Sequence, residues 1–322
     1  MLSPFRSAGI LVGATLAALP ARLSAQQGAN PVSQAVVLQS EGKREAARRT
    51  LSDYLANRPE DAGAWLELGR AYLTDARTWF LGGRKNAPNG ILFLDFAATA
   101  LDQAHRLGAD SAALPRNLVE MERAAVVFGE LGPTELAQLR PSPDLPALPE
   151  HVAELGRNLA AACPQHAVAI PGNDLEAVAL WHVSFATRER GDLVVLRPDW
   201  YLNDGAYRRR MATALDIDRG EPLRKSLAQV AARRRICLTP FADASVLPRV
   251  AWEANGLART NGGPLRAPQP LPLAALMRSL REPQPWAQET REVYAAAAAY
   301  DASLCPALGD VLGTSRPAAC RR

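Results

Sequence analysis

Two stretches decide the fold: QHAVAIPGND at residues 165–174 and DLVVLRPDWY at residues 192–201. In each, a short apolar run (His166 to Ile170, then Leu193 to Leu196) ends in a polar turn. Short apolar runs bounded by turn residues read as buried strands. Between them Leu175, Val178, Ala179, His182, Phe185 and Ala186 recur at helical spacing and give one apolar face. Strand, helix and strand at this length form a βαβ unit with parallel strands and a right-handed crossover. In such sheets ligands lie beyond the carboxyl ends of the strands.

Downstream, helices are expected around Tyr207 to Leu215 and over Leu223 to Ala232. A third strand follows at Ile236 to Thr239, and a last extended piece at Leu257 to Thr260. This gives a small, mostly parallel, three- to four-stranded α/β domain over residues 151–262. Residues 263–322 read as a Pro-rich loop and C-terminal helices, around Leu273 to Leu280 and Glu289 to Tyr300.

Upstream, Pro141, Pro143, Pro146 and Pro149 mark a linker over residues 136–150, because closely spaced prolines resist both helix and central strand. Before it, the pattern from Val32 is helical and repetitive. Ala47, Leu51 and Tyr54 precede Pro59, and Trp65, Leu68, Gly69 and Tyr72 follow it. This spacing resembles the tetratricopeptide repeat, whose motif is Trp-x2-Leu-Gly-x2-Tyr followed by Ala, an aromatic or Leu, and Pro. The resemblance implies stacked helix pairs over residues 32–135. Large side chains of one helix would fill the space left by Gly and Ala on the next. Residues Trp79 to Leu94, rich in turn signals, read as an insertion that interrupts the second repeat, with the helix resuming at Phe96. A further helix is expected over Leu118 to Leu131.

The α/β part carries a second resemblance. Gly172-Asn173-Asp174, Leu180-Trp181, Arg190-Gly191-Asp192-Leu193, Trp200-Tyr201 and the later Gly256-Leu257 resemble blocks in the soluble C-terminal region of bacterial membrane proteins related to protein O-mannosyltransferases. Those proteins also carry a membrane-spanning transferase part, for which this chain has no counterpart. The resemblance therefore implies at most an accessory domain.

The first residues read as a secretory signal peptide over 1–25. Arg6 is the charged start, Ala8 to Leu19 the apolar core and Leu23-Ser24-Ala25 the cleavage region. No later stretch has the roughly 20 apolar residues of a membrane helix, so the mature chain is expected to be periplasmic or secreted, without a membrane span. Cleavage removes Arg6 and Arg22 and no acid, so the net charge of +4 falls by two. The basic runs Arg208-Arg209-Arg210 and Arg233-Arg234-Arg235 flank expected helices and read as solvated surface, so no nucleic-acid partner is implied. Four cysteines in an exported chain permit two disulfides in three pairings, among which sequence does not choose. The favoured pairing joins Cys305 to Cys320, stapling the tail, and Cys163 to Cys237, which lie near the starts of neighbouring strands. A buried free thiol at Cys237 is the other reading.

The strand ends collect the candidate ligand residues: Asn173 and Asp174, then Asp199 and Trp200, then Asp243. Carboxylates suit sugar hydroxyls or a hard cation, and an aromatic face suits a sugar ring. Each also has a structural role to fill. Asn173 and Glu176 have capping-box spacing, and Asp174 falls in the first turn of the helix. The scattered His105, His151, His166 and His182 lack zinc-site spacing. There is no nucleophile elbow, phosphate loop or Cys-x-x-Cys. No metal or cofactor is implied, and no catalytic residue is assigned. The sequence therefore points to an exported repeat protein that binds a protein or peptide through the Trp65, Leu68, Gly69 and Tyr72 framework. A glycan-binding accessory protein using the strand ends is the alternative.

Overall fold

The computed structural model describes residues 30–82, 87–243, 248–262 and 271–321. The signal-peptide reading and residues 263–270 of the Pro-rich loop lie outside them.

Five helices come first: α1 (Pro31–Ser40), α2 (Arg44–Asn57), α3 (Ala62–Leu81), α4 (Ala87–Arg106) and α5 (Ala113–Glu130). Each packs on the next along the chain. Ala47, Leu51 and Leu55 of α2 close a small core with Ala64 and Leu68 of α3. Gly69 lets α4 approach, since a Cβ there would lie 2.5 Å from Leu101 Cγ. Asp61 caps α3 by accepting from the Ala64 N–H, and the Trp65 indole donates to the Pro59 carbonyl.

The expected interruption at Trp79 to Leu94 is shorter than the sequence suggests. Helix α3 continues to Leu81 and α4 begins at Ala87, well before Phe96. Pro88 falls in the first turn, where a missing N–H costs no helical hydrogen bond. Gly90 faces Phe80 so closely that a Cβ would lie 2.5 Å from its ring. Residues that read as turn punctuation are here a helix start and a close helix contact.

Helix α6 (Pro133–Gln138) and an extended segment lead to α7 (Glu150–Ala162). The segment is fastened: Leu148 is buried, and the Asn117 amide donates to the Pro146 carbonyl. Strand β1 (Val168–Ile170) then leads into α8 (Asp174–Trp181), which continues as a π-helix over His182–Ala186. Strand β2 (Val194–Val195) follows, with α9 (Pro198–Asn203), α10 (Gly205–Leu215), α11 (Leu223–Arg233) and β3 (Ile236–Leu238) after it. Strands β4 (Trp252–Asn255) and β5 (Ala258–Asn261) form a hairpin.

The sheet order is β2-β1-β3-β5-β4. Strand β1 runs parallel to β2, with Val168 opposite Val194, and parallel to β3, with Ala169 opposite Cys237. Strand β5 runs antiparallel to β3. The sheet is therefore mixed and five-stranded, not mostly parallel with three or four strands. The reversal is local: Gly256, at φ 61°, occupies the first position of a two-residue loop that pairs Asn255 with Ala258. Glycine at that position is what a tight hairpin turn of this kind needs.

Helices α12 (Ala274–Arg281), α13 (Ala287–Tyr300) and α14 (Cys305–Leu312) close the chain. One large apolar core runs from Leu73 and Phe80 in the helical array through Val119 of α5 to Val168, Leu180, Tyr294 and Leu308. Two disulfides are present, Cys163–Cys237 and Cys305–Cys320, and no described cysteine is free. The first ties the end of α7 to the middle of β3. No described helix is long and apolar enough to cross a membrane.

Candidate functional site

At the carboxyl end of β1 the backbone meets the turn after β3. A Cβ on Gly172 would lie 1.9 Å from the Phe241 carbonyl carbon, so only glycine fits there. Asn173 caps α8, its side chain accepting from the Glu176 N–H at 2.9 Å. The Glu176 carboxylate turns back and is fully buried. It accepts from the Gly172 N–H at 2.8 Å, the Thr239 hydroxyl at 2.6 Å and the Phe241 N–H at 3.2 Å. Burial pushes its pKa up, and these neutral donors offset that only in part. Glu176 thus joins two strand ends, with Asn173 fixing the start of its helix.

Asp174, one residue on, faces the helical array. Both its oxygens accept from Arg77 of α3, at 2.7 and 2.9 Å. Arg77 also donates to Glu122 of α5 at 2.8 Å. Glu122 is fully buried and accepts in addition from Arg197 at 2.7 Å and from the Trp200 indole at 2.6 Å. Arg197 closes the chain of pairs on both oxygens of Asp199. Burial alone would raise the Glu122 pKa. Arg197 and Arg77, with the hydrogen bonds from Arg197 and Trp200, bring it below the ordinary value instead. The same pairs overcome burial at Arg77 and Arg197 and raise both guanidinium pKa values. Trp200 is held between Phe80 and Tyr207, at ring distances of 5.1 and 5.8 Å.

Asp174, Asp199 and Trp200 therefore do converge, around Glu122, Arg77 and Arg197. Asn173 faces its own helix end. Asp243 is engaged in an interaction as well. The cleft beside the cluster, lined by Arg77, Phe80, Glu122, Asp199 and Trp200, holds about 100 Å³. Small-molecule sites run from roughly 300 to 1,000 Å³. A ligand here would also have to compete with two bidentate arginine–carboxylate pairs, which are strong, directional contacts. The arrangement is suited to holding α3, α5 and the strand ends together.

The helical array offers a different surface. Tyr72 and Trp79 of α3 and Phe93 and Phe96 of α4 form a continuous group. Tyr72 lies 6.0 Å from Phe93 and 5.3 Å from Phe96, and Trp79 lies 6.4 Å from Phe93. The Arg48 guanidinium sits 5.2 Å from the Phe93 ring centre and 5.8 Å from that of Tyr72. Phe96 is 43% exposed, and Ile91 and Leu92 of the same helix are exposed as well. Of the four motif residues, Leu68 and Gly69 pack inside and Trp65 braces the preceding turn. Only Tyr72 joins this surface. Trp79 and Phe93 escape a sequence reading that assigns them to an insertion, and Phe96 is read there only as the point where the helix resumes.

Comparison with family models, curated proteins and solved structures gave no match to this chain.

Proposed function

We propose that the chain is an exported interaction protein of the cell envelope, and that its helical repeats present the aromatic surface of Tyr72, Trp79, Phe93 and Phe96 to a protein or peptide partner. The observation that carries this reading is that surface itself: four adjacent rings, three half-buried and Phe96 43% exposed, with an arginine stacked on two of them. Aromatic residues and arginine are the types enriched at the cores of protein interfaces. They supply large contact area at low entropic cost, and Tyr, Trp and Arg recur as energetic hot spots. Scattered exposed apolar residues need no explanation, whereas contiguous ones do. The two disulfides support export, since such bonds persist in oxidising compartments.

The test places a photocrosslinking amino acid at position 96 and, as a control, at the exposed Leu202 in living cells. A discrete adduct at 96 that is absent at 202 is expected. Phe96→Asp should abolish crosslinking from a probe at Trp79 while changing stability by no more than about 0.5 kcal/mol. Equal adducts at 96 and 202, or crosslinking from Trp79 that survives Phe96→Asp, would overturn the reading.

A further inference from the structure

A separate cavity of about 490 Å³ lies between α5, the π-helix, the edge strand β2 and α10. Its volume falls inside the range of small-molecule sites, unlike the cleft at the ion cluster. Met121, Phe128, Phe185, Leu193 and Met211 are among the large apolar side chains of its wall. The two methionines make that wall adaptable, because the thioether side chain is unbranched and polarizable.

Ser184, Arg188, Arg197 and Tyr207 bring polar groups to this wall. Trp181 lines the cavity and is 6% exposed, yet its indole N–H has no hydrogen-bond partner. That nitrogen is itself enclosed and does not open onto the cavity, so Trp181 contributes ring surface to the wall. Arg188, also in the lining, is exposed and donates to the Ala137 carbonyl at 2.7 Å. It pairs with no acidic side chain among the described residues, in contrast to Arg77 and Arg197. The backbone between these two residues is irregular: a π-helix over His182–Ala186, then Arg188 at φ 60°. Single π turns are frequent at functional sites, and here one contributes Ser184 and Phe185 to the lining.

We infer that this cavity binds a single-chain amphiphile of the fatty-acid class, with the hydrocarbon against the α5 and α10 wall and the carboxylate toward Arg188. An apolar wall selects the chain. A guanidinium with no acidic partner among the described residues selects an anionic acceptor over a cation or a neutral hydroxyl.

The full chain is titrated by calorimetry with dodecanoate, dodecylamine and dodecanol, each kept below its micellar concentration. Dodecanoate is expected to saturate at one per chain, and dodecylamine to bind at least about tenfold more weakly. Arg188→Ala should weaken dodecanoate about tenfold and leave dodecanol unchanged. Ala124→Phe fills the cavity from α5 and should abolish binding. Ser184→Trp fills it from a half-exposed position, so its fold is retained and its loss of binding is interpretable by itself. The inference is overturned if wild type binds none of the three, if dodecylamine binds as well as dodecanoate, or if folded Ser184→Trp binds undiminished. Saturation at one dodecanoate per two chains, with dimerisation in sedimentation, would also overturn it.

Discussion

Glu122 and Glu176 are both fully buried, yet their surroundings push them in opposite directions. Glu122 joins the helical array to the sheet and has two arginines against it, which hold it ionised. Glu176 joins the ends of β1 and β3 and has only backbone N–H groups and a threonine hydroxyl, so burial raises its pKa. The difference teaches how each joint was assembled. Where two elements distant in sequence must dock, charge pairs give direction and tolerate irregular distance. Where two strand ends lie one hydrogen-bond length apart, dipoles suffice. It also teaches what a carboxylate at a strand end can mean. Asp174 and Asp199 sit where a ligand would be sought, and both serve the first joint.

Arg197→Met breaks that contrast most severely, because it leaves Glu122 buried beside one arginine in place of two. Urea denaturation should show a loss of about 3–5 kcal/mol, the usual effect of removing one partner from a buried pair. Glu122→Leu combined with Arg197→Met should be less destabilised than Arg197→Met alone, since the carboxylate then left without Arg197 is the half-exposed Asp199 and not the buried Glu122. A loss under about 1 kcal/mol for the single variant would show that the cluster behaves like a solvated surface pair.

Thr239→Val makes the corresponding cut at the other joint. It keeps the side-chain shape and removes one donor from Glu176, along with the acceptor that the Gly172 N–H meets at 3.0 Å. A hydrogen bond to a charged group contributes about 1.5–3 kcal/mol, so the loss should be smaller than for Arg197→Met. The same denaturation series decides the order. If Thr239→Val costs more, the neutral joint is the stronger one and the contrast is reversed.

The two joints also differ in how far they could be read from sequence. The Asn173 and Glu176 pairing is local, and three-residue spacing before an apolar helix carries a mechanical signature. Glu122 has no such signature. Its partners Arg77 and Arg197 lie 45 and 75 residues away, and only the packing of α3 and α5 against the sheet brings them together. The sheet shows the same division. Strands β1, β2 and β3 announce themselves by apolar runs, and the disulfide partners Cys163 and Cys237 flank or lie within them. Strand β4 does not, because Trp252 to Asn255 is an edge with no buried residue and hence no alternation to detect. That unseen strand is why the sheet reads as mostly parallel. In the array, Gly90 and Pro88 read as a break because their roles, a close approach to Phe80 and a helix start, depend on a neighbour that sequence does not place.

The smallest expected effect separates the joints by sign. The ordinary carboxyl value is 4.5 for both residues. Glu122 is below it in the folded chain, so the unfolded chain binds the proton more tightly. Its contribution to stability is present above pH 4.5 and lost as pH falls from there. Glu176 is above it, so the folded chain binds the proton more tightly. Its contribution is present below pH 4.5 and lost as pH rises through the folded value. Glutamine at either position removes that titration and leaves the others largely in place. Relative to wild type, Glu122→Gln should therefore become less destabilised as pH falls below 4.5, and Glu176→Gln less destabilised as pH rises above it. Urea unfolding from about pH 3 to 8 measures both differences as slopes, independent of how much each substitution costs at neutral pH. Slopes of the same sign would mean that the arginines around Glu122 do not set its protonation, and the distinction between a charge-paired and a dipole-paired joint would fail.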